Sequence, residues 1–172
     1  MDIRPLTPDY AVAPQIDPED LVAIKAAGYT RVINNRPDHE NPPSHQTAAM
    51  RAAAEAAGLE YVVNPVIGGA LTEANVEAQA EAIANATGPV LAYCASGNRS
   101  SICWALAKVG PLSPDMLIAI AARQGYNLEW LRPQLEALEP RAIQSPEALC
   151  ALCDARGVGP CVCAKGEVEH VR

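Results

Sequence analysis

Cys94, Gly97, Arg99 and Ser100 stand close together in the run Cys94-Ala95-Ser96-Gly97-Asn98-Arg99-Ser100, and each supplies something that thiolate chemistry needs. The apolar run Val90-Leu91-Ala92-Tyr93 before it reads as a strand buried on both faces, and a helix is expected from about Ser100. A strand-to-helix turn containing a glycine points successive backbone N–H groups inward, and the positive end of the helix adds to the same field. Arg99 contributes planar, forked donors suited to a tetrahedral oxyanion. An anion-binding loop of Ala95, Ser96, Gly97, Asn98, Arg99 and Ser100 is therefore expected around Cys94, in surroundings that favour its ionised form. Ser100 is expected to donate a hydrogen bond to the sulfur. A lone intracellular cysteine most often only packs; the glycine, arginine and serine at these spacings favour the reactive reading. Cys103, in the helix behind the loop, reads as packing.

The elements that must hold this loop alternate along the chain. Tyr10 to Ala13 is a short apolar run between prolines. Asp17-Pro18-Glu19-Asp20 opens a helix, with Asp17 as cap, that Gly28 closes. Arg31-Val32-Ile33-Asn34 reads as a strand, Gln46 to Ala57 as a helix and Glu60 to Val63 as a strand. Thr72 opens a helix stopped at Gly88-Pro89, Ser113-Pro114-Asp115 opens another that Gly125 ends, and Asn127 begins a further one. Strands alternating with helices predict an α/β three-layer sandwich with a mostly parallel central sheet. Ligands in such sheets bind beyond the carboxyl ends of the strands, where Asn34-Asn35-Arg36-Pro37-Asp38 and the Cys94 loop both fall.

The 172 residues are enough for one compact domain. With 49% apolar and 19% charged residues the chain is not disordered, and with no Phe its core is largely aliphatic. A formal net charge of −7 repels phosphate backbones and anionic lipid, which argues against nucleic acid or membrane as partner. No segment matches a membrane span or a signal peptide, so a cytoplasmic location is expected. Oligomeric state is left open.

The segments Gln15 to Asp20, Ala27 to Asp38, Glu55 to Tyr61 and Gly88 to Ser100 closely resemble the bacterial beta-lactamase-hydrolase-like phosphatase family, in the right order, over about residues 8 to 138. The resemblance implies a protein tyrosine phosphatase-like fold. Members are described sometimes as phosphatases and sometimes as sulfurtransferases, alone or joined to metallo-hydrolase domains; no such domain is expected within these residues.

Two departures from the tyrosine phosphatase pattern bear on the chemistry. Those phosphatases place five residues between nucleophile and arginine, whereas Cys94 and Arg99 enclose four, the rhodanese-type spacing, which suits a sulfane sulfur better than a phosphoryl group. Phosphatases also need an acid to protonate the leaving alkoxide. No Asp lies between Glu40 and Cys94, leaving Asp38 and Glu40 as candidates, with Glu73 more simply a helix-start residue. Asn35 and Arg36 are candidate substrate contacts, with Arg36 also able to pair with Asp38; the alternative is a turn in which the Asn side chains bond the local backbone. His39 and His45 are expected to be exposed and without a role, and Tyr126 and Trp130 to pack.

A catalytic unit over residues 1–140 is thus expected, followed by a Cys-rich extension over 141–172. There Cys150, Cys153, Cys161 and Cys163 could complete a tetrahedral zinc site or act as redox thiols. Catalysis itself requires no cofactor. The catalytic set expected is Cys94, Arg99 and Asp38. The leading function is a sulfurtransferase that carries a persulfide on Cys94, with a small anionic substrate or a thiol acceptor as partner. The alternatives are a phosphatase working through a phosphocysteine, and a non-catalytic anion-binding or redox-sensing module.

Overall fold

The computed structural model describes residues 1–143. Five strands form one sheet: β1 (Arg4–Thr7), β2 (Tyr10–Ala13), β3 (Arg31–Asn34), β4 (Glu60–Val63) and β5 (Val90–Tyr93), in the order β1-β2-β5-β3-β4. β2, β5, β3 and β4 run parallel, and only the edge strand β1 pairs antiparallel. β1 was not anticipated from the sequence. Pro5 and a register shift make it an irregular edge of four residues, tolerated there because an edge strand need not donate on its outer side.

Among the described residues six α-helices cover the two faces: α1 (Asp20–Ala26), α2 (Thr47–Ala56), α3 (Glu73–Ala84), α4 (Asn98–Ala107), α5 (Pro114–Arg123) and α6 (Arg132–Ile143). The strand period of two divides the core between them. Ala11, Ala13, Val32, Leu91 and Tyr93 pack with Leu21, Ile24 and Met50 of α1 and α2, whereas Tyr10, Val12, Ile33, Val90 and Ala92 pack with α3 to α6 around Trp104. This is the expected three-layer α/β sandwich with a mostly parallel sheet.

Local chemistry sets the helix ends, with three corrections. Asp17 does not cap α1: Asp17 and Asp20 first close a tight turn on each other, Glu19 takes the capping position, and the Asp17 carboxylate meets His45 Nε2 at 2.7 Å. His45 is accordingly half-buried, not free. α4 starts at Asn98, two residues early, because Gly97 makes the whole turn at φ +87°, a left-handed conformation natural to glycine. Asn127 caps only a 3-10 turn, Glu129–Leu131, before α6 begins. The boundary expected after residue 140 falls inside α6, and the zinc or redox thiols Cys150, Cys153, Cys161 and Cys163 lie outside the described residues. No helix among the described residues is long and apolar enough to cross a membrane.

Gln79 sits at 0% exposure between α3 and the sheet, where its amide accepts from the side chains of Asn35 and Asn64 (both 2.9 Å) and donates to the Tyr10 hydroxyl (2.9 Å). Tyr10 in turn donates to the Ser100 carbonyl at 3.3 Å. One buried amide thus joins the segments after β3 and β4 to the first turn of α4. Gln79→Leu removes four buried hydrogen bonds at once, the fourth donated by the Gln79 amide to Asn35 Oδ1 at 3.4 Å, and is expected to lower unfolding free energy by about 2 to 3 kcal/mol in urea titration. A loss below about 0.5 kcal/mol would show that the amide is not a linchpin.

Candidate active site

β5 and α4 hold Cys94 where the sequence places it, at the carboxyl end of the central strand. Its residue is 1% exposed, and the Gly97 N–H donates to Sγ at 3.2 Å. The loop is fastened from three sides. The Cys94 N–H donates to the Ala13 carbonyl (3.4 Å), the Gln15 N–H donates to the Ala95 carbonyl (3.4 Å), and the Tyr126 hydroxyl donates to the Ser96 carbonyl (3.1 Å). The Asn98 N–H turns to Ser96 Oγ at 3.4 Å. Among the described residues, the amides of Ala95, Ser96, Arg99 and Ser100 have no protein acceptor, as expected where a turn enters a helix. Arg99 and Ser100 belong to the first turn of α4, where unpaired amides carry the positive end of the helix dipole.

Arg99 is held rigidly. Its Nη1 and Nη2 donate to the two Glu40 carboxylate oxygens at 2.7 Å each, and Nη1 also donates to the Val66 carbonyl at 2.7 Å. Arg36 closes the other side of Glu40, with Nη2 donating to its backbone carbonyl at 2.9 Å and Nε to Oε2 at 3.3 Å. Hydrogen bonds from Arg99 and then Arg36 hold the Glu40 carboxyl below the usual range. The Glu40 carboxylate, and behind it the Cys94 sulfur, raise Arg99 above its ordinary value. Burial pushes the Cys103 thiol up to about 12, so it stays neutral and packs, as expected.

The segments after β3 and β5, distant in sequence, therefore meet, but not through the residue expected. Asp38 lies on the exposed side of its turn, where one carboxylate oxygen accepts from the Thr47 N–H and hydroxyl at 2.7 Å each, capping α2. The carboxylate that reaches the loop is Glu40. Arg36 pairs with Glu40 and with Gln15 Oε1 (3.0 Å), not with Asp38. Asn35, expected to touch substrate, is 0% exposed and spends its amide on Asn64 and Gln79 inside the core. Asn34 takes the turn role, its Oδ1 accepting from the Arg36 N–H at 2.8 Å. Ser100 Oγ is buried with no partner, so it makes no bond to the sulfur in this state. Glu73 is exposed at the start of α3. Trp130 does not pack: it is 62% exposed. Tyr126 packs and also braces the loop.

Gln15, Tyr126, Val66 and Gln79 were not read as site residues. Gln79 carried a signal, since it continues the spacing Val76, Gln79, Ile83 on the buried stripe of α3, where a polar residue needs a partner.

Residues 2–111 match the family model of the beta-lactamase hydrolase-like protein, phosphatase-like domain. A beta-lactamase hydrolase-like protein of Xylella fastidiosa (strain Temecula1 / ATCC 700964) is 36% identical over 152 residues, covering 85% of this chain and 34% of that protein. The chain thus spans about a third of the length of the curated relatives it matches. Among solved structures, a candidate phosphatase from Neisseria meningitidis is 31% identical with a TM-score of 0.69, covering 80% of this chain and 98% of that one. Tk-PTP in its active form, 20% identical, has a TM-score of 0.60 over 81% of this chain and 97% of its own. The fold is protein tyrosine phosphatase-like.

A Cβ at Gly97 would stand 2.1 Å from the Tyr126 hydroxyl and would force an L side chain into the left-handed region. Gly97→Ala is expected to cost about 2 kcal/mol or more, read by urea unfolding, and to slow alkylation of Cys94 by loosening the turn. Unchanged stability and alkylation would contradict this geometry. Because the folded-state Glu40 value is depressed, its contribution to stability is present above the ordinary carboxylate range and is lost as pH falls through the folded value. Stability is therefore expected to drop on acidification, with a shallower drop in Glu40→Gln; parallel acid limbs would contradict the pairing.

Proposed function

We propose, for a chain that belongs to the phosphatase-like domain family of the beta-lactamase hydrolase-like proteins, that Cys94 transfers sulfane sulfur. The observation that carries this reading is that, among the described residues, neither candidate carboxyl is a ready proton donor at the loop: Arg99 and Arg36 hold the Glu40 carboxyl below its usual range, and Asp38 caps α2. Expulsion of sulfite or a thiolate needs little acid help, whereas expulsion of an alkoxide needs a great deal. The four-residue spacing between Cys94 and Arg99 supports the same chemistry.

In the first step the Cys94 thiolate attacks the outer sulfur of thiosulfate. A new S–S bond forms, the bond between the two donor sulfurs breaks, and its electron pair leaves with sulfite. The resulting Cys94 persulfide anion lies against the free amides of Ala95, Ser96, Arg99 and Ser100, in the field of the α4 N-terminus. An acceptor thiolate then attacks the outer sulfur, takes it as a persulfide and returns Cys94 as thiolate. Arg99, fixed by Glu40, orients the anionic donor. Tyr126 and Gly97 keep the turn closed around the sulfur.

Phosphoryl transfer is the second reading, favoured by the phosphatase neighbours. Cys94 would take the phosphoryl group from an ester, which then leaves as an alcohol after gaining a proton, and water would release phosphate. With no ready proton donor among the two candidate carboxyls, Asp38 and Glu40, such activity should be confined to esters with good leaving groups.

Purified protein given thiosulfate with a thiol acceptor is expected to release sulfite, and Cys94→Ser to lose about a thousandfold or more of that rate. Glu40→Gln, which frees the guanidinium, is expected to lower kcat/KM about tenfold. Cys94-dependent turnover of an aryl phosphate with no sulfite release would reject sulfur transfer in favour of the second reading.

A further inference from the structure

Tyr126 lies 30 residues beyond Ser96, yet its hydroxyl donates to the Ser96 carbonyl at 3.1 Å, and among the described residues it is the one protein donor which that carbonyl has. The peptide formed by this carbonyl carries the Gly97 N–H, which donates to Cys94 Sγ at 3.2 Å. A trans peptide is planar, with its C=O and N–H pointing opposite ways. Whatever fixes the Ser96 oxygen on one side therefore aims the Gly97 hydrogen on the other. Gly97, at φ +87°, is also the residue type that leaves the preceding peptide most free to rotate, and a half-turn would present the Ser96 oxygen to the sulfur in place of the amide. The next peptide is fixed separately, since the Ser101 N–H and hydroxyl both donate to the Gly97 carbonyl, at 3.0 and 2.9 Å. That leaves the Ser96–Gly97 peptide to Tyr126.

The brace is itself anchored. The Tyr126 N–H donates to the Ala121 carbonyl near the end of α5 at 3.0 Å. The Arg4 guanidinium of β1 lies 5.2 Å from the centre of the Tyr126 ring, and its Nη1 donates to the Gln124 carbonyl at 3.3 Å.

We propose that Tyr126 is a positioning residue for Cys94: through the Ser96–Gly97 peptide, its hydroxyl aims the Gly97 N–H at the sulfur, strengthens that hydrogen bond and so favours the thiolate. This rests on the reading above that Cys94 reacts as a thiolate, and it holds whichever group the thiolate attacks. Two hydrogen bonds made by one peptide polarise each other, so the gain is electrostatic as well as geometric. A residue that only packed against the turn would change its stability, whereas one acting through this peptide changes how easily the sulfur gives up its proton.

Tyr126→Phe keeps the ring under Arg4 and removes the hydroxyl alone. Tyr61→Phe is the control: it loses a hydroxyl bond of 2.6 Å to Tyr93 on the opposite face of the sheet and, among the described residues, has no bond to the loop. Alkylation by iodoacetamide, a neutral reagent, would be followed against pH at Cys94 itself by peptide mapping, because the chain has six cysteines. In Tyr126→Phe the midpoint is expected to rise by about half to one pH unit, so the rate below both midpoints falls about three- to tenfold, while the rate of the fully ionised sulfur stays within about twofold. Tyr61→Phe should leave the midpoint where it is in the unaltered protein. A midpoint unmoved in Tyr126→Phe, or moved as far in Tyr61→Phe, would overturn the proposal. An unmoved midpoint in a protein that releases sulfite from thiosulfate would reject the role of Tyr126 and leave sulfur transfer standing. A midpoint raised in Tyr126→Phe alone, in a protein that turns over neither thiosulfate nor aryl phosphate, would uphold that role and reject both functional readings.

Discussion

A single bidentate ion pair, Arg99 to Glu40, ties the loop after β5 to the segment after β3, and the rest of the site is arranged around it. Neither partner is free to wander, because Arg36 grips Glu40 from behind and the Val66 carbonyl grips Arg99 from the side. An isolated surface pair of this kind would contribute little. Here it is half-buried, forked and reinforced by a second guanidinium, which is the setting in which such pairs impose geometry. Its chemical consequence is equally direct. A carboxylate pinned between two guanidinium groups is a poor proton donor, and the proposed sulfur transfer rests on that property.

The pair works only because the sheet order places β5 beside β3, with β4 next in line. Behind that order lies the buried amide network on Gln79, which connects Asn35 and Asn64 after two strands to Tyr10 and so to the Ser100 carbonyl. Tyr126 closes the opposite side, its hydroxyl on the Ser96 carbonyl and directly beneath Gly97. Strand end, helix start and two neighbouring loops are thereby held to one geometry.

The Cys94 loop was legible in the sequence because its parts are contiguous: a buried strand, a glycine and a helix start within ten residues decide the local fold. The layer architecture was legible for the same reason, from helix and strand periods alone. Contacts between segments were not. Asp38 and Glu40 are two residues apart, and nothing local says that a 3-10 turn over Asp38–Glu40 sends one to the α2 N-terminus and the other to Arg99. Asn35 looked available because it follows a strand, yet backbone pairing with Tyr93 draws it into the core. Trp130 was read as core on residue type, but the 3-10 turn before α6 buries Leu131 and leaves the indole outside.

The central claim is that Cys94 carries the transferred group as sulfur. Intact-protein mass spectrometry after exposure to thiosulfate and removal of excess tests it most directly, with peptide mapping to place the adduct. A sulfur-transferring protein gains the mass of one sulfur atom on Cys94, lost again on adding a thiol. An unchanged mass, or an added sulfur that maps to other cysteines and persists in Cys94→Ser, would contradict it.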